Sequence, residues 1–303
     1  MSLLKDPADA TLKACEAEEM ILAKKIAMVN PMYFDLKYAI NPHMKDDAGN
    51  MHSVDRDVAL GQWQELKGAY ESLGFEVVVW DGEPGFPDMV FCANQSLPYI
   101  DQQGRPSALM SRMASAPRSG EVPFIESNLQ SMSIQTNKLT VSDHPELYFE
   151  GTGDALWVPG RRLILGGYGF RTHQSVYEDV GRIVNSPIAL FELRNPKFYH
   201  LDTCLSILSD TTVLACREAY TETGWNLLSC LFEDVIEVSV EESDSPGFAC
   251  NAHCPDGKHV LIQKGNRQCL AQLNERGFIP IELNTDQFIL SGGSVFCLKL
   301  VCF

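Results

Sequence analysis

Long hydrophobic runs, basic clusters and paired cysteine spacings are scarce in this 303-residue chain, and each scarcity excludes something. No apolar stretch approaches the roughly 20 residues that cross a bilayer. The N-terminus, acidic from Asp6 onward, has neither region of a signal peptide. A cytoplasmic location with no membrane partner is therefore expected. Lysine and arginine number 24 against 40 aspartates and glutamates, a net charge of -16, and no basic run is longer than Arg161-Arg162. Phosphate backbones are bound by basic patches, so nucleic acid is not an expected partner. The ten cysteines lack the close, even spacing of a secreted disulfide framework and read as free thiols. Cys250, His253, Cys254 and His259 lie close together without the paired ligand spacing of a zinc site, so no metal is expected. Walker and GxGxxG loops are missing, which leaves nucleotide cofactors unsupported.

What is present is a 45% apolar chain able to bury a large core, and one unit recurs along it. An amphipathic helix is followed by a short apolar strand, a turn and a segment of polar and small residues. In the first copy Leu60, Trp63, Leu66, Tyr70 and Leu73 keep helical spacing, Gly74 stops the helix, and 75–80 reads as a buried strand. The order returns at 176–193, 226–240 and 269–283, with a degenerate copy between Pro123 and Val158. Units packed about an axis bring their polar segments to its centre, which predicts one closed domain with one pocket. The stretch 102–120 is the one long irregular segment, equally suited to a binding loop or an ordered surface excursion.

Several polar segments carry chemistry. Cys297 follows Gly292-Gly293-Ser294, and the glycine pair lets backbone approach a ligand while the thiol projects from the strand expected next. A lone thiol in an apolar strand is more often packing than nucleophile. His200 and Asp202 are two apart on an expected strand, so both side chains share a face. Glu150 and Asp154 bracket Gly151-Thr152-Gly153, two carboxylates about a tight turn. What raises these readings together is that acid, imidazole and thiol fall on equivalent segments of different copies. Arg171, after Gly166-Gly167-Tyr168-Gly169-Phe170, has the fork that clamps a carboxylate. Asp88 and Asn94 complete the polar set.

Taken in order, Pro87-Asp88-Met89-Val90-Phe91 with Asn94, Glu150 to Asp154, Gly167 to Thr172, Phe198 to Cys204 and Ser291 to Leu298 resemble the guanidino-group-modifying superfamily. The superfamily includes dimethylarginine dimethylaminohydrolases, arginine deiminases, arginine dihydrolases and amidinotransferases. The resemblance implies an α/β pentein fold, a five-bladed pseudosymmetric α/β propeller, over a single catalytic domain at 26–303, preceded by a 1–25 extension expected to be helical. It implies a metal-free and cofactor-free hydrolase in which Cys297 attacks the guanidinium carbon and forms a covalent thiouronium. His200 would relay protons and Glu150 would orient it. Asp88 and Asp202 would grip the guanidinium, and Arg171, with Arg112 as a weaker second candidate, would hold the α-carboxylate of arginine or a derivative.

Three departures bear on the substrate. Asn94 stands where dimethylarginine hydrolases and deiminases carry an acid and where arginine dihydrolases carry asparagine. Lys299 replaces a usual threonine two residues beyond the nucleophile, and Gln95 and Ser96 replace small residues. An amide donates to a neutral ureido oxygen as a carboxylate cannot, which makes a second hydrolysis, through citrulline to ornithine, compatible with the sequence. Amidino transfer to an amine and a silent binding protein of the same fold stay open as alternatives. So does a homo-oligomeric state.

Overall fold

Asp55 starts the first long helix by accepting hydrogen bonds from the amides of Asp57 and Val58, both at 3.1 Å. Along Arg56–Ser72, Ala59, Trp63, Leu66 and Tyr70 form one buried face. Gly74, at φ +83°, ends the helix in the left-handed region. The chain then enters Glu76–Trp80, which pairs in parallel with Lys25–Val29, as a helical crossover between neighbouring strands allows.

The computed structural model describes residues 2–140 and 146–303, and this strand, helix, strand unit occurs five times in it. Pro106–Met110 and Gln135–Asn137 flank the helix Val122–Ser131; Ile164–Tyr168 and Ile188–Glu192 flank Tyr177–Val184. Thr212–Ala215 and Asp234–Glu237 flank Glu222–Leu231; His259–Gln263 and Ile279–Leu283 flank Arg267–Glu275. Each unit is its own small sheet, and among the described residues no sheet closes on itself. Four units add an antiparallel strand on the other side of the parallel pair: Leu300–Cys302, Ser96–Ile100, Ala155–Trp157 and Leu205–Ile207. The fifth has only the bridge His253 to Leu261 in that place.

These antiparallel strands position the site. Each follows directly on one of the polar segments: Asn94 precedes Ser96–Ile100, Glu150 precedes Ala155–Trp157, His200 precedes Leu205–Ile207, and Cys297 precedes Leu300–Cys302.

Three local expectations change, and one point left open is filled in. The 2–25 extension contains no α-helix; it is an extended strap with the two-residue strand Leu3–Leu4, paired with Ile188–Glu192, and two 3-10 turns. Pro7 and its flanking caps favour short turns over a continuous helix. His200 and Asp202 lie on the 3-10 turn Leu201–Thr203, not a strand, because Thr203 turns its hydroxyl back onto the His200 carbonyl at 2.7 Å. Cys297 and Lys299 precede the strand Leu300–Cys302 in a turn, so two-residue alternation does not apply to them. The 102–120 stretch is ordered, with the strand Pro106–Met110 and the one-turn helix Ala116–Ser119.

Candidate active site

Asn251 builds the turn that carries Cys297. Its Oδ1 accepts the amides of Ser294 (3.0 Å), Phe296 (3.1 Å) and Cys297 (3.4 Å). Its Nδ2 donates to the Asp202 carbonyl at 2.8 Å and to the Cys297 sulfur at 3.2 Å. One buried side chain thus satisfies three amides of a turn and locates the thiol. A Cβ on Gly293 would lie 2.4 Å from the Phe91 ring and 3.1 Å from Cys297 Cβ, so only glycine fits there. The thiol donates to Asp202 Oδ2 at 3.3 Å. Burial pushes the thiol pKa up, and the adjacent Asp202 carboxylate pushes it further. Burial likewise takes Asp202 up to about 7, against the pull of its thiol hydrogen bond and of Lys299.

The buried ring of His200 donates through Nε2 to Glu150 Oε2 at 2.7 Å. Burial alone would raise the Glu150 pKa, but the His200 hydrogen bond and the Arg171 charge bring it down to about 2. Glu150 is therefore an acceptor, which places the imidazole proton on Nε2 and leaves Nδ1 free to exchange one. The Ala114 amide (2.9 Å) and Arg171 Nη1 (3.1 Å) complete its shell. Asp154, one helical turn on, accepts the Leu201 amide at 3.0 Å and so ties the Glu150 segment to the His200 segment. A Cβ on Gly153 would stand 2.3 Å from Asn94 Nδ2 and 3.3 Å from the His200 ring. The glycine lets three segments meet.

A cavity of about 270 Å³ opens above this framework, lined by Asp88, Asn94, Arg118, Arg171, Tyr199 and Cys297. His200 and Glu150 stand behind its wall, the histidine packed on Tyr199 with ring centroids 4.8 Å apart. Asn41 closes one side: its Nδ2 donates to the Ser291 carbonyl at 2.9 Å, and Arg171 Nη2 donates to the neighbouring Ile40 carbonyl at 2.6 Å. Asp88 Oδ1 accepts the Ser291 hydroxyl at 3.1 Å, and the Tyr38 hydroxyl is a further donor neighbour of the carboxylate. Burial pushes the Asp88 pKa up, against the attraction of Arg118.

Arg118 was not singled out by the sequence, whereas Arg112 was. Arg112 lines a separate cavity of about 1150 Å³, away from the thiol, because its backbone is bridged to Phe149. Arg118 is turned inward by the one-turn helix Ala116–Ser119. Its Nη1 donates to Asn94 Oδ1 at 2.7 Å, its Nη2 to the carbonyls of Asp88 (3.1 Å) and Phe91 (3.0 Å), and its Nε to Glu121 at 3.1 Å. The available signal was Glu121 three residues on, the spacing of an ion pair on one helical face. Asn251 and Glu121 were likewise outside the predicted set.

Two guanidiniums, Arg118 and Arg171, thus face Asp88, Glu121 and Glu150, with Asp202 beside the thiol. Carboxylates outnumber the fixed cations, and Asn94, which lines the cavity, keeps its Nδ2 without an acceptor among the described residues. Such a site is arranged to receive a cation that also donates hydrogen bonds.

The chain matches the family described as N,N dimethylarginine dimethylhydrolase, eukaryotic, over residues 30–302. It is 34% identical to the N(G),N(G)-dimethylarginine dimethylaminohydrolase of Mycobacterium tuberculosis, covering 91% of this chain and 85% of that one. The substrate-bound N-terminal domain of ArgZ, a cyanobacterial arginine dihydrolase in which a cysteine was changed to serine, superimposes with a TM-score of 0.82 at 28% identity, over 91% of this chain and 97% of that one. An asparagine-to-serine variant of the same domain, covalently bonded to a reaction intermediate, gives a TM-score of 0.80 at 29% identity, over 91% and 96%. The chain spans 37% of the full-length bifunctional ArgZ of Synechocystis.

Fold and site define a cysteine-dependent amidinohydrolase of the pentein superfamily, a mixed α/β protein that hydrolyses a guanidino group. Within that class the chain belongs to the dimethylarginine dimethylhydrolase family. Among the described residues no helix is long and apolar enough to cross a membrane.

Proposed function

We propose that the chain hydrolyses L-arginine twice, to ornithine, two ammonia and carbon dioxide, with Cys297 as nucleophile. The observation that carries this reading is the state of Asn94, which lines the cavity: its Oδ1 is committed to Arg118, and its buried Nδ2, beside Gly153, has no acceptor among the described residues. That amide can donate to the oxygen of a bound ureido group, which a carboxylate in its place cannot. Arginine enters as the cation the cavity is short of, with Asp88 Oδ2 and Asp202 on its guanidinium and Arg118 and Arg171 toward its α-carboxylate. The guanidinium charge beside Cys297 offsets the Asp202 carboxylate that keeps the thiol protonated, so substrate binding itself favours the thiolate.

The thiolate adds to the guanidinium carbon, and His200, protonated on Nδ1, gives its proton to the departing ammonia. Glu150 holds the imidazolium in register. Water then adds to the thiouronium, loses its proton to His200, and releases citrulline and the thiolate. The second round repeats the sequence on the ureido carbon: ammonia leaves, water frees the product from Cys297 as a carbamic acid, and its C–N bond then breaks to give ornithine and carbon dioxide. The five sheets are read as blades of a five-bladed propeller whose polar segments meet at this centre, with 26–303 as its one catalytic domain.

Dimethylarginine is the second reading, favoured by the family match. Product identification separates the two: incubate with arginine, citrulline and asymmetric dimethylarginine, and quantify ornithine, citrulline and dimethylamine by mass spectrometry. Ornithine from both arginine and citrulline is expected. Dimethylamine as the dominant product, with arginine untouched, would replace the first reading by the second.

A further inference from the structure

Cys297 and Lys299 lie in one turn yet face different cavities. Cys297 lines the cavity just described, whereas Lys299 lines a larger one on the other side of the turn. The space inside it that a solvent-sized sphere can reach is about 110 Å³, several water-sized steps long and so enough for a slender carbon chain. Its wall is mostly apolar, with Trp157, Ile207, Phe296 and Leu22 prominent. Its mouth lies at the N-terminal strap, where Ile21 and Leu22 are 63% and 55% exposed.

The polar groups of this wall are nearly all spent. Thr152 Oγ1 donates to the Ala93 carbonyl (2.6 Å), Ser206 Oγ to the Ala252 carbonyl (2.9 Å) and Trp157 Nε1 to the Pro98 carbonyl (2.9 Å). His253 Nδ1 is engaged by the Tyr70 hydroxyl at 2.8 Å. Lys299 is the exception. It is 1% exposed, its Nζ sits 3.1 Å from the centroid of the Phe296 ring, and it forms no hydrogen bond or ion pair among the described residues. A buried ammonium without an acceptor is costly, and a cation over one aromatic face does not replace the hydrogen bonds it lost. Burial accordingly holds the Lys299 pKa down to about 7, even with Asp202 nearby.

We propose that this second cavity binds a small amphipathic monocarboxylate, its carboxylate on Lys299 Nζ and its alkyl or aryl body against Trp157, Ile207 and Leu22. The occupant is anionic because Lys299 is the uncommitted cation of the wall, and it is apolar behind its head because, apart from the second His253 ring nitrogen and the Cys254 thiol, the remaining side chains of the wall are apolar or already paired. The site is distinct from that of arginine, whose guanidinium would meet the wrong charge here.

Octanoate and 1-octanol share a chain and differ in charge, so titrating each into the unmodified protein by calorimetry tests the idea without a variant. One octanoate per chain is expected, with at least tenfold weaker binding of octanol, as a charge-assisted hydrogen bond implies. Lys299→Met should erase that preference by weakening octanoate alone. Trp157→Phe should abolish a fluorescence response to octanoate while calorimetry still reports binding. Absence of saturable octanoate binding at millimolar concentration would overturn the proposal, as would equal affinity for octanol or an unaltered octanoate preference in Lys299→Met.

Discussion

Two buried glutamates flank the substrate cavity, each paired with an arginine, and they behave in opposite ways. Glu150 meets Arg171 at 3.1 Å and Glu121 meets Arg118 at 2.9 Å, and neither carboxylate is exposed. Burial raises both pKa values, yet Glu150 is brought down to about 2 while Glu121 remains up at about 7. The difference lies in the rest of the shell. Glu150 also receives an imidazole N–H and a backbone amide. Glu121 has the Gln95 amide at 2.5 Å and stands in the field of Asp88, and its arginine is shared with Asn94 and two carbonyls. An ion pair alone does not decide the ionisation of a buried acid; the full count of donors and neighbouring charges does. In the proposed function the contrast fits Glu150 to the chemistry and Glu121 to holding Arg118.

The largest expected effect follows from that assignment. Glu150→Gln keeps the shape but removes the charge that supports imidazolium, and kcat on arginine should fall about 10³-fold, in the range by which orienting groups assist general acid-base catalysis. Glu121→Gln should lower kcat less than tenfold. Steady-state kinetics on both variants checks the pair, and equal losses would break the distinction.

Much of this was legible in sequence, and the misses share a cause. The four clear helix and strand units were visible because burial repeats with a fixed period, as Trp63, Leu66 and Tyr70 show. Cys297, His200, Glu150, Asp88, Asn94 and Arg171 converge as their ordered motifs implied. Short turns carry no such period. The direction of Arg118 depends on the one-turn helix Ala116–Ser119, so the resemblance pointed to Arg112 and passed over Arg118. The opposite facing of Lys299 and Cys297 depends on a turn gripped by Asn251, a residue 46 positions from the thiol.

Stability offers the next test of the comparison. Arg118→Met leaves Glu121 buried without its cation and Asn94 Oδ1 without its donor, and breaking a buried pair from one side costs about 3–5 kcal/mol. Adding Glu121→Gln to Arg118→Met should recover about half of that loss in urea unfolding at pH 9 and little at pH 6, where Glu121 without its cation is protonated. No recovery at pH 9 would show that Arg118 stabilises through Asn94 and the carbonyls alone.

A smaller effect concerns Asn94, which accepts from Arg118 and, in the proposed function, donates to the substrate. Asn94→Asp would replace the donor proposed for a ureido oxygen by an acceptor. Citrulline turnover should fall at least tenfold with arginine consumption changed less, so citrulline accumulates. Mass spectrometry of the products measures the ratio, and an unchanged ornithine yield would remove Asn94 from the second step.

The last test is the pH dependence of stability, where the two glutamates should have opposite signs. Glu150 is more acidic folded than its ordinary value of 4.5, so the folded state binds fewer protons than the unfolded state between about pH 2 and 4.5. Its contribution is complete above pH 4.5 and is lost as pH falls toward 2. Glu121 is less acidic folded, so the folded state binds more protons between pH 4.5 and about 7, and stability declines as pH rises through that window. Asp202 and Asp154, raised by burial to about 7 and about 6, add to the same decline. Subtracting the unfolding free energy of Glu121→Gln from that of the unmodified chain at each pH isolates its share. The difference should fall from pH 4.5 to 7 and flatten above, and a difference that rises with pH would place Glu121 in the same class as Glu150.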